Sequence, residues 1–383
     1  MRQKKRVLIV SEFFPRSDDG EARGGVEMRS WQISKRISSD FEVVVLASNE
    51  YGLTSSQESF SGIKVARTGP RRDYAHQGVL WSRFRFMISV YRKCLQIDPD
   101  IIDAQSFVTY LPVYLASLRL DIPAIATYHD VWRGRWKKLF GITGLIGEIY
   151  EKFILKSNWS AFIANSYYTK DNLVKAGVDE SKVSVIPNGI DIKQISSISV
   201  KKYDLPTICS ITRLVPYKKV LDLVKAVERI KQQIPDIQCK IIGSGPEMEK
   251  INHEISTRNL SDNIELLGFV KSHTSVLEIL RKSHVFCLTS SVEGFGIVVA
   301  EAMASEIPVV ATNIPPIKEV TDNGRGALLY KVGDIESLVK KLLNLLKDRD
   351  LANMYILEGR RISQSFDWDN LSQKIINLYK TKI

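Results

Sequence analysis

Short apolar runs alternate along this chain with longer stretches of helical periodicity. Runs at 6–10 (Arg-Val-Leu-Ile-Val), 42–47, 63–67, 101–104, 124–128, 161–164 and 183–186 are nearly continuous in apolar residues. Strands that read this way are buried on both faces, as in a parallel sheet; a strand with one wet face would alternate. Between them, 79–95, 145–157 and 169–176 place apolar residues at the helical period. Strands separated by helices predict a parallel sheet covered on both sides, and right-handed crossovers make it doubly wound.

The alternation pauses at Pro187-Asn188-Gly189-Ile190-Asp191 and through the Ser/Lys-rich stretch 192–203, which has no clear period. It then restarts, with strands predicted at 207–211, 239–242, 264–266, 285–288 and 308–311 and helices at 221–234, 247–257, 274–281 and 297–304. Helical patterns fill the tail from 335 and end in a helix over 368–380. The predicted organisation is therefore a domain over 1–190, a second α/β domain over 191–365, and a terminal segment 366–383. A length of 383 residues agrees with two cores rather than one.

Composition narrows the class without naming a function. Hydrophobic residues make up 44% and charged residues 25%, as in a soluble globular protein. Cys94, Cys209, Cys239 and Cys287 are far apart and mostly in apolar runs, which points to free buried thiols rather than disulfides or zinc. The N-terminal basic residues precede only Val7-Leu8-Ile9-Val10 before Ser11-Glu12, too short for a signal peptide, and no run is long enough to span a bilayer. A cytoplasmic protein is expected. The net charge of +11 suits an anionic substrate or an anionic membrane surface. No nucleic-acid-binding motif accompanies that charge.

In open parallel sheets ligands bind beyond the carboxyl ends of the strands, so the loops there hold the candidates. After the first strand, Gly24-Gly25 open a helix whose N-terminus suits an anion, within a charged loop containing Asp18, Asp19, Glu21 and Arg23; a plain flexible loop reads equally well. His129 ends an apolar strand, either at a site or as a structural cap. Arg213 and Lys218 share the first loop of the second domain; on spacing alone they read as solvated cations, and together they would suit a diphosphate. Gly243-Ser244-Gly245-Pro246 is a strand-to-helix turn that packing alone can explain. Leu266–Val270 ends a strand, where backbone can meet a base edge or simply turn. Ser290-Ser-Val-Glu293-Gly-Phe295-Gly296-Ile297-Val298-Val-Ala-Glu301 places two carboxylates around a glycine-bracketed helix start. Backbone N–H groups there suit a phosphate, and Glu293 and Glu301 suit hydroxyls on either side of it.

Taken in order, Gly24-Gly25, His129-Asp130, Pro187–Asp191, Arg213 with Lys218, Gly243–Pro246, Glu293-Gly-Phe-Gly296 with Glu301, and Phe366-Asp-Trp368 before a last helix resemble the retaining glycosyltransferases of family 4. The resemblance covers essentially the whole chain. It implies the GT-B fold: two Rossmann-like domains facing a central cleft, with the final helix crossing back to domain one. It implies a metal-independent retaining hexosyltransferase that moves a sugar from a nucleoside-diphosphate sugar and uses no cofactor. By resemblance Glu301 holds the ribose, Glu293 the donor sugar, and Arg213 and Lys218 the diphosphate. Gly25, Gly243, Val270, Phe295, Gly296, Ile297 and Val298 line the donor site, and His129 stands near the reaction centre. Domain one would take a lipid-linked or polysaccharide acceptor, with the enzyme peripheral on the inner face of the cell membrane. The family's glycines before the Arg and after the Lys are here Thr212 and Lys219.

Asp-x-Asp occurs at Asp98–Asp100, Asp348–Asp350 and Asp367–Asp369, none in a loop after a strand, so no metal site is expected. Asp130–Phe140 interleaves Arg133, Arg135, Lys137 and Lys138 with Trp132 and Trp136, a composition suited to a membrane interface or to buried tryptophans among exposed cations. Two other classes remain: a nucleotide-sugar-binding protein without transferase activity, and a glycoside hydrolase using Glu293 and Glu301.

Overall fold

The computed structural model describes residues 4–17, 22–53, 55–73, 80–137 and 141–383. Asp18, Asp19, Glu21, Val79, Lys138, Leu139 and Phe140 lie outside the described residues. The chain forms two compact units, Met1–Asn188 with Trp368–Ile383, and Gly189–Asp367.

In the first unit the strands are β1 (Arg6–Val10), β2 (Glu42–Glu50), β3 (Gln57–Phe60), β4 (Ile63–Arg72), β5 (Ile101–Ala104), β6 (Ala124–Tyr128), β7 (Ala161–Ala164) and β8 (Val183–Val185). They form one sheet in the order β3-β4-β2-β1-β5-β6-β7-β8, parallel except for β3. Its helices are α1 (Gly25–Ile37), α2 (Leu80–Ile97), α3 (Phe107–Leu120), α4 (Gly144–Lys156) and α5 (Tyr167–Lys175). One face of the sheet packs on α2, α3 and α4 through Phe86, Val90, Val113 and Ile154. The other packs on α1 and the last helix of the chain through Trp31, Ile37, Trp368 and Ile375.

The second unit contains β9 (Thr207–Ile211), β10 (Gln238–Ile242), β11 (Ile264–Gly268), β12 (Val285–Leu288), β13 (Val309–Thr312) and β14 (Leu328–Tyr330). All pair in parallel in the order β11-β10-β9-β12-β13-β14, so the winding reverses between β9 and β12. Helices α6 (Ile192–Ser197), α7 (Val220–Lys231), α8 (Met248–Thr257), α9 (His273–Lys282), α10 (Ile297–Ala304), α11 (Pro315–Val320), α12 (Ile335–Lys347) and α13 (Arg349–Ser363) complete it. The final helix, α14 (Trp368–Lys382), belongs to the first unit. There Arg36 pairs with Asp369 at 2.8 Å and Lys380 with Asp40 at 2.6 Å.

Several elements differ from their apolar patterns. β2 and β4 run past their hydrophobic cores because the ladder continues through polar pairs, Ser48 with Thr68 and Glu50 with Arg72. β3 has little apolar signal; it is a hairpin arm, turned by Ser61 (φ 50°) and Gly62 (φ 73°). The stretch 192–203 is not wholly irregular: Asp191 caps α6 by accepting from Gln194 N at 2.9 Å. All four cysteines are buried and free, and burial raises their thiol pKa values.

Candidate functional site

In the second unit the loops after β9 and β12 flank the point where the sheet's winding reverses, the place where doubly wound sheets bind ligands. These two loops are tied together. Ser291 donates from both its backbone N–H and its hydroxyl to the Tyr217 carbonyl, at 2.8 and 2.9 Å. Thr289 Oγ1 donates to the Lys218 carbonyl at 2.7 Å. The Lys218 and Glu293 side chains meet at 2.5 Å, and both are largely buried, 14% and 12% exposed. Arg213, in the same loop as Lys218, is half-buried and has no side-chain hydrogen bond or ion pair among the described residues.

Gly296 opens α10 with φ 96°, a left-handed conformation, and a Cβ there would lie 2.6 Å from Ile317 Cδ1. The left-handed backbone calls for glycine at this turn, while the Ile317 methyl could move aside. No side chain caps the helix that follows, so the first N–H groups of α10, at Ile297 and Val298, face outward with a positive dipole end. The Phe295 side chain is buried against Phe366, ring centroids 5.3 Å apart, which leaves its backbone as the part that can face a ligand.

The loops after β10 and β11 join the same edge. Gly243 has φ 135°, and a Cβ there would sit 1.8 Å from the Thr212 carbonyl oxygen; at Gly245 it would sit 2.3 Å from that of Leu214. Gly243 N–H donates to the Gly268 carbonyl at 2.8 Å. These glycines thus have a packing reason that stands without any ligand. Val270 follows at the end of β11, partly exposed. Lys219 takes φ 49°, ψ 40° at the cap of α7. The backbone there is one that glycine adopts without strain and lysine does not.

Glu301 and Glu293 do not face each other. Glu301 is buried on α10 and its Oε1 lies 2.9 Å from His273 Nε2 on α9. Burial pulls that imidazole toward neutrality, but the Glu301 carboxylate and, more weakly, Asp191 outweigh it, so its pKa is raised. Neither glutamate sits in the apolar pocket a general acid needs; each faces a basic side chain. His273 is not among the residues the sequence singles out: it starts α9 five residues past the half-buried β11, whereas His129 directly follows the fully buried β6.

In the first unit, Gly25 begins α1 after Gly24, and a Cβ on Gly25 would meet none of the described residues within 4 Å. The loop before it is held by Arg23, which pairs with Glu27 at 3.1 Å and Glu50 at 2.6 Å. His129 lies just past β6, and its Nε2 is 3.0 Å from the Gln105 carbonyl. A carbonyl only accepts, so Nε2 carries the hydrogen and Nδ1 keeps the lone pair. Burial first, then the nearby Arg29 charge, push this imidazole down to about 3, so it is neutral at ordinary pH.

A buried polar group beneath it was not legible in the sequence. Asp103 on β5 accepts from Thr127 Oγ1 at 2.8 Å and from the Tyr379 hydroxyl of α14, and burial raises its pKa to about 6. Arg29, fully buried on α1, donates to the Pro187 carbonyl at 2.8 Å and to Asn188 Oδ1 at 2.9 Å. Among the described residues no group of three or more His, Cys, Asp and Glu side chains is arranged to hold a metal ion.

Two family models match this chain in tandem: Glycosyltransferase Family 4 over residues 23–194 and Glycosyl transferases group 1 over residues 191–362. A phosphatidylinositol N-acetylglucosaminyltransferase component from Arabidopsis thaliana is 25% identical, over 98% of this chain and 82% of its own length. An uncharacterised glycosyltransferase of Methanocaldococcus jannaschii is 29% identical over 98% of both chains. The crystal structure of Anabaena HepE in complex with UDP-glucose superposes with a TM-score of 0.78 at 19% identity, covering 98% of this chain and 99% of that one.

Proposed function

Because the chain belongs to the family 4, group 1 glycosyltransferases of GT-B fold, we propose that it moves a hexosyl group from a nucleoside-diphosphate sugar to an acceptor hydroxyl, with retention at the anomeric carbon. The observation that carries this reading is the cationic, uncapped edge of the second unit. Arg213 has no partner there, Lys218 stands beside Glu293, and the N-terminus of α10 opens between Glu293 and Glu301.

In this reading Arg213, Lys218 and the first N–H groups of α10 hold the diphosphate as it leaves, without a divalent metal and with no other cofactor. Preorganised donors of this kind act where charge develops in the transition state. Glu293 accepts from hydroxyls of the donor sugar and Glu301 from the ribose. The backbone at Val270 meets the base, and Gly25, Gly243, Phe295, Gly296, Ile297 and Val298 line the donor. The bond from the anomeric carbon to the leaving phosphate oxygen breaks, and the acceptor oxygen attacks the same face. The acceptor proton passes to the departing phosphate. His129, neutral and with its Nδ1 lone pair available, orients groups at the reaction centre rather than supplying a charge.

The acceptor is a lipid-linked sugar or polysaccharide precursor of a cell-surface glycoconjugate, met by a cytoplasmic enzyme at the inner face of the membrane. The relative from Arabidopsis thaliana, whose name places its acceptor on phosphatidylinositol, supports an acceptor of this class.

A thermal-shift panel of UDP-, GDP- and ADP-sugars tests the donor half. One nucleotide class is expected to raise the melting temperature, by roughly 3 kcal/mol of linkage at a hundredfold excess over Kd. Product NMR then reads the anomeric configuration. No shift with any nucleotide sugar, or an inverted product, overturns the proposal.

A further inference from the structure

The helices on one face of the first sheet are apolar on both of their sides. Phe86, Val90 and Cys94 of α2, and Ile154 and Leu155 of α4, point into the core. On the opposite sides, Trp81, Phe84 and Ile88 of α2 and Ile146, Ile149 and Phe153 of α4 face solvent, each between 38% and 70% exposed. Their spacing, 81-84-88 and 146-149-153, is that of a continuous stripe along a helix. Trp81 and Phe84 stack with centroids 5.7 Å apart. The two helices flank α3, which itself exposes Leu115 and Leu118 between them. Single exposed apolar residues need no explanation; stripes on neighbouring helices of one face do.

The charge around these stripes is mostly positive. α2 carries Arg85, Arg92 and Lys93, besides an Arg83 that pairs with Glu12 at 3.0 Å, and α3 carries Arg119, with no acidic residue in either helix. On α4, Lys152 and Lys156 are exposed beside Phe153. Its two glutamates are engaged elsewhere: Glu151 is buried, accepting from Trp132 N and Trp136 Nε1, and Glu148 accepts from Gly134 N. A second copy of this chain would bring cations against cations. A bilayer with anionic headgroups instead offers charge for the lysines and arginines and acyl chains for the stripes.

We infer that the outer face of α2, α3 and α4 seats on an anionic lipid surface. The seating is interfacial; among the described residues no helix is long and apolar enough to cross a membrane. α2 and α4 both start at the carboxyl edge of the sheet, the edge that carries His129. Trp136 packs on Phe107 at 4.7 Å and its Nε1 is held by Glu151 at 2.8 Å, so this tryptophan serves the fold. The anchoring residues are on α2 and α4.

This inference rests on the proposed membrane-borne acceptor, and its test is separable from the donor reading. The full chain is floated with vesicles of phosphatidylcholine alone and of phosphatidylcholine mixed with phosphatidylglycerol, at low and high salt. Two double variants accompany it, Trp81→Glu with Phe84→Glu, and Ile146→Glu with Ile149→Glu. All four positions are exposed, so melting temperature and nucleotide-sugar binding are expected to stay at wild-type values. Wild type should bind the anionic vesicles, release with salt, and bind neutral ones far more weakly. Each double variant should lose roughly a hundredfold in partition coefficient. Wild type that stays unbound at low salt overturns the inference, as do variants that bind equally well. So does a solution dimer that the same substitutions dissolve. Vesicle binding that the variants abolish, in a protein that takes no nucleotide sugar, would uphold this surface while overturning the donor reading.

Discussion

Lys218 and Glu293 face each other at 2.5 Å with little exposure, yet the proposed reaction needs the lysine for a diphosphate and the glutamate for sugar hydroxyls. At an effective dielectric of about 20 their attraction is several kcal/mol. Desolvation of both groups cancels much of it, leaving a coupling of about 1–3 kcal/mol. Urea unfolding of Lys218→Met, Glu293→Gln and the double variant should show that coupling, with the double variant less destabilised than the sum of the singles. The same pair has a functional consequence. Glu293→Gln releases Lys218, so the bare nucleoside diphosphate should bind up to about tenfold more tightly, tenfold being about 1.4 kcal/mol. The nucleotide sugar, deprived of its carboxylate, should bind more weakly and turn over far more slowly. Calorimetric titration of both ligands reads this opposite movement. Additive stabilities within about 0.5 kcal/mol, with an unchanged diphosphate affinity, would refute the reasoning.

Three further outcomes are expected. The raised pKa of His273 means that its stabilising pairing with Glu301 is complete below its ordinary value of 6.5 and is lost as pH rises through the folded value; His273→Gln should therefore be less stable than wild type at acid pH and match it at alkaline pH, and a stability gap that does not change with pH counts against the pairing. Tyr379→Phe removes a donor from buried Asp103 and should cost about 1–3 kcal/mol, with the loss growing above about pH 6 as the carboxylate ionises; a pH-independent loss in urea midpoints would contradict this. Lys219→Gly relieves the positive φ of 49° and should stabilise by about 0.5–1 kcal/mol after the added flexibility of the unfolded chain is counted; a lowered melting temperature would show that the lysine side chain contributes something its backbone does not reveal.

Much of the candidate site was legible because it rests on local rules. Glycine at 296 is dictated by a left-handed turn at a helix start, and the cations at 213 and 218 lie in the loop after a buried strand, where spacing alone reads them as solvated and the family resemblance gives them a role. What escaped notice involves partners distant in sequence. Tyr379 reaches Asp103 across 276 positions, and Arg29 reaches Pro187 and Asn188 across 158 and 159. No periodicity carries such pairings, because each chooses its partner only after the sheet and helices have been placed.

The apolar runs and helical periods of this chain determined, by themselves, that it builds doubly wound sheets, and the strand ends marked the loops in which ligand-binding residues were to be sought. Both follow from burial and backbone geometry, which act within a few residues of each other. Only the tertiary structure decided that Glu293 belongs with Lys218 and Glu301 with His273. It also tied Trp136 to Glu151 and Phe107 while leaving Trp81, Phe84, Ile146 and Ile149 outside. The sequences of α2 and α4, with apolar residues on more than one side among their cations, do not say which apolar side the protein itself covers. That is settled by how each helix is rotated against its sheet, and the rotation is a property of the packed core.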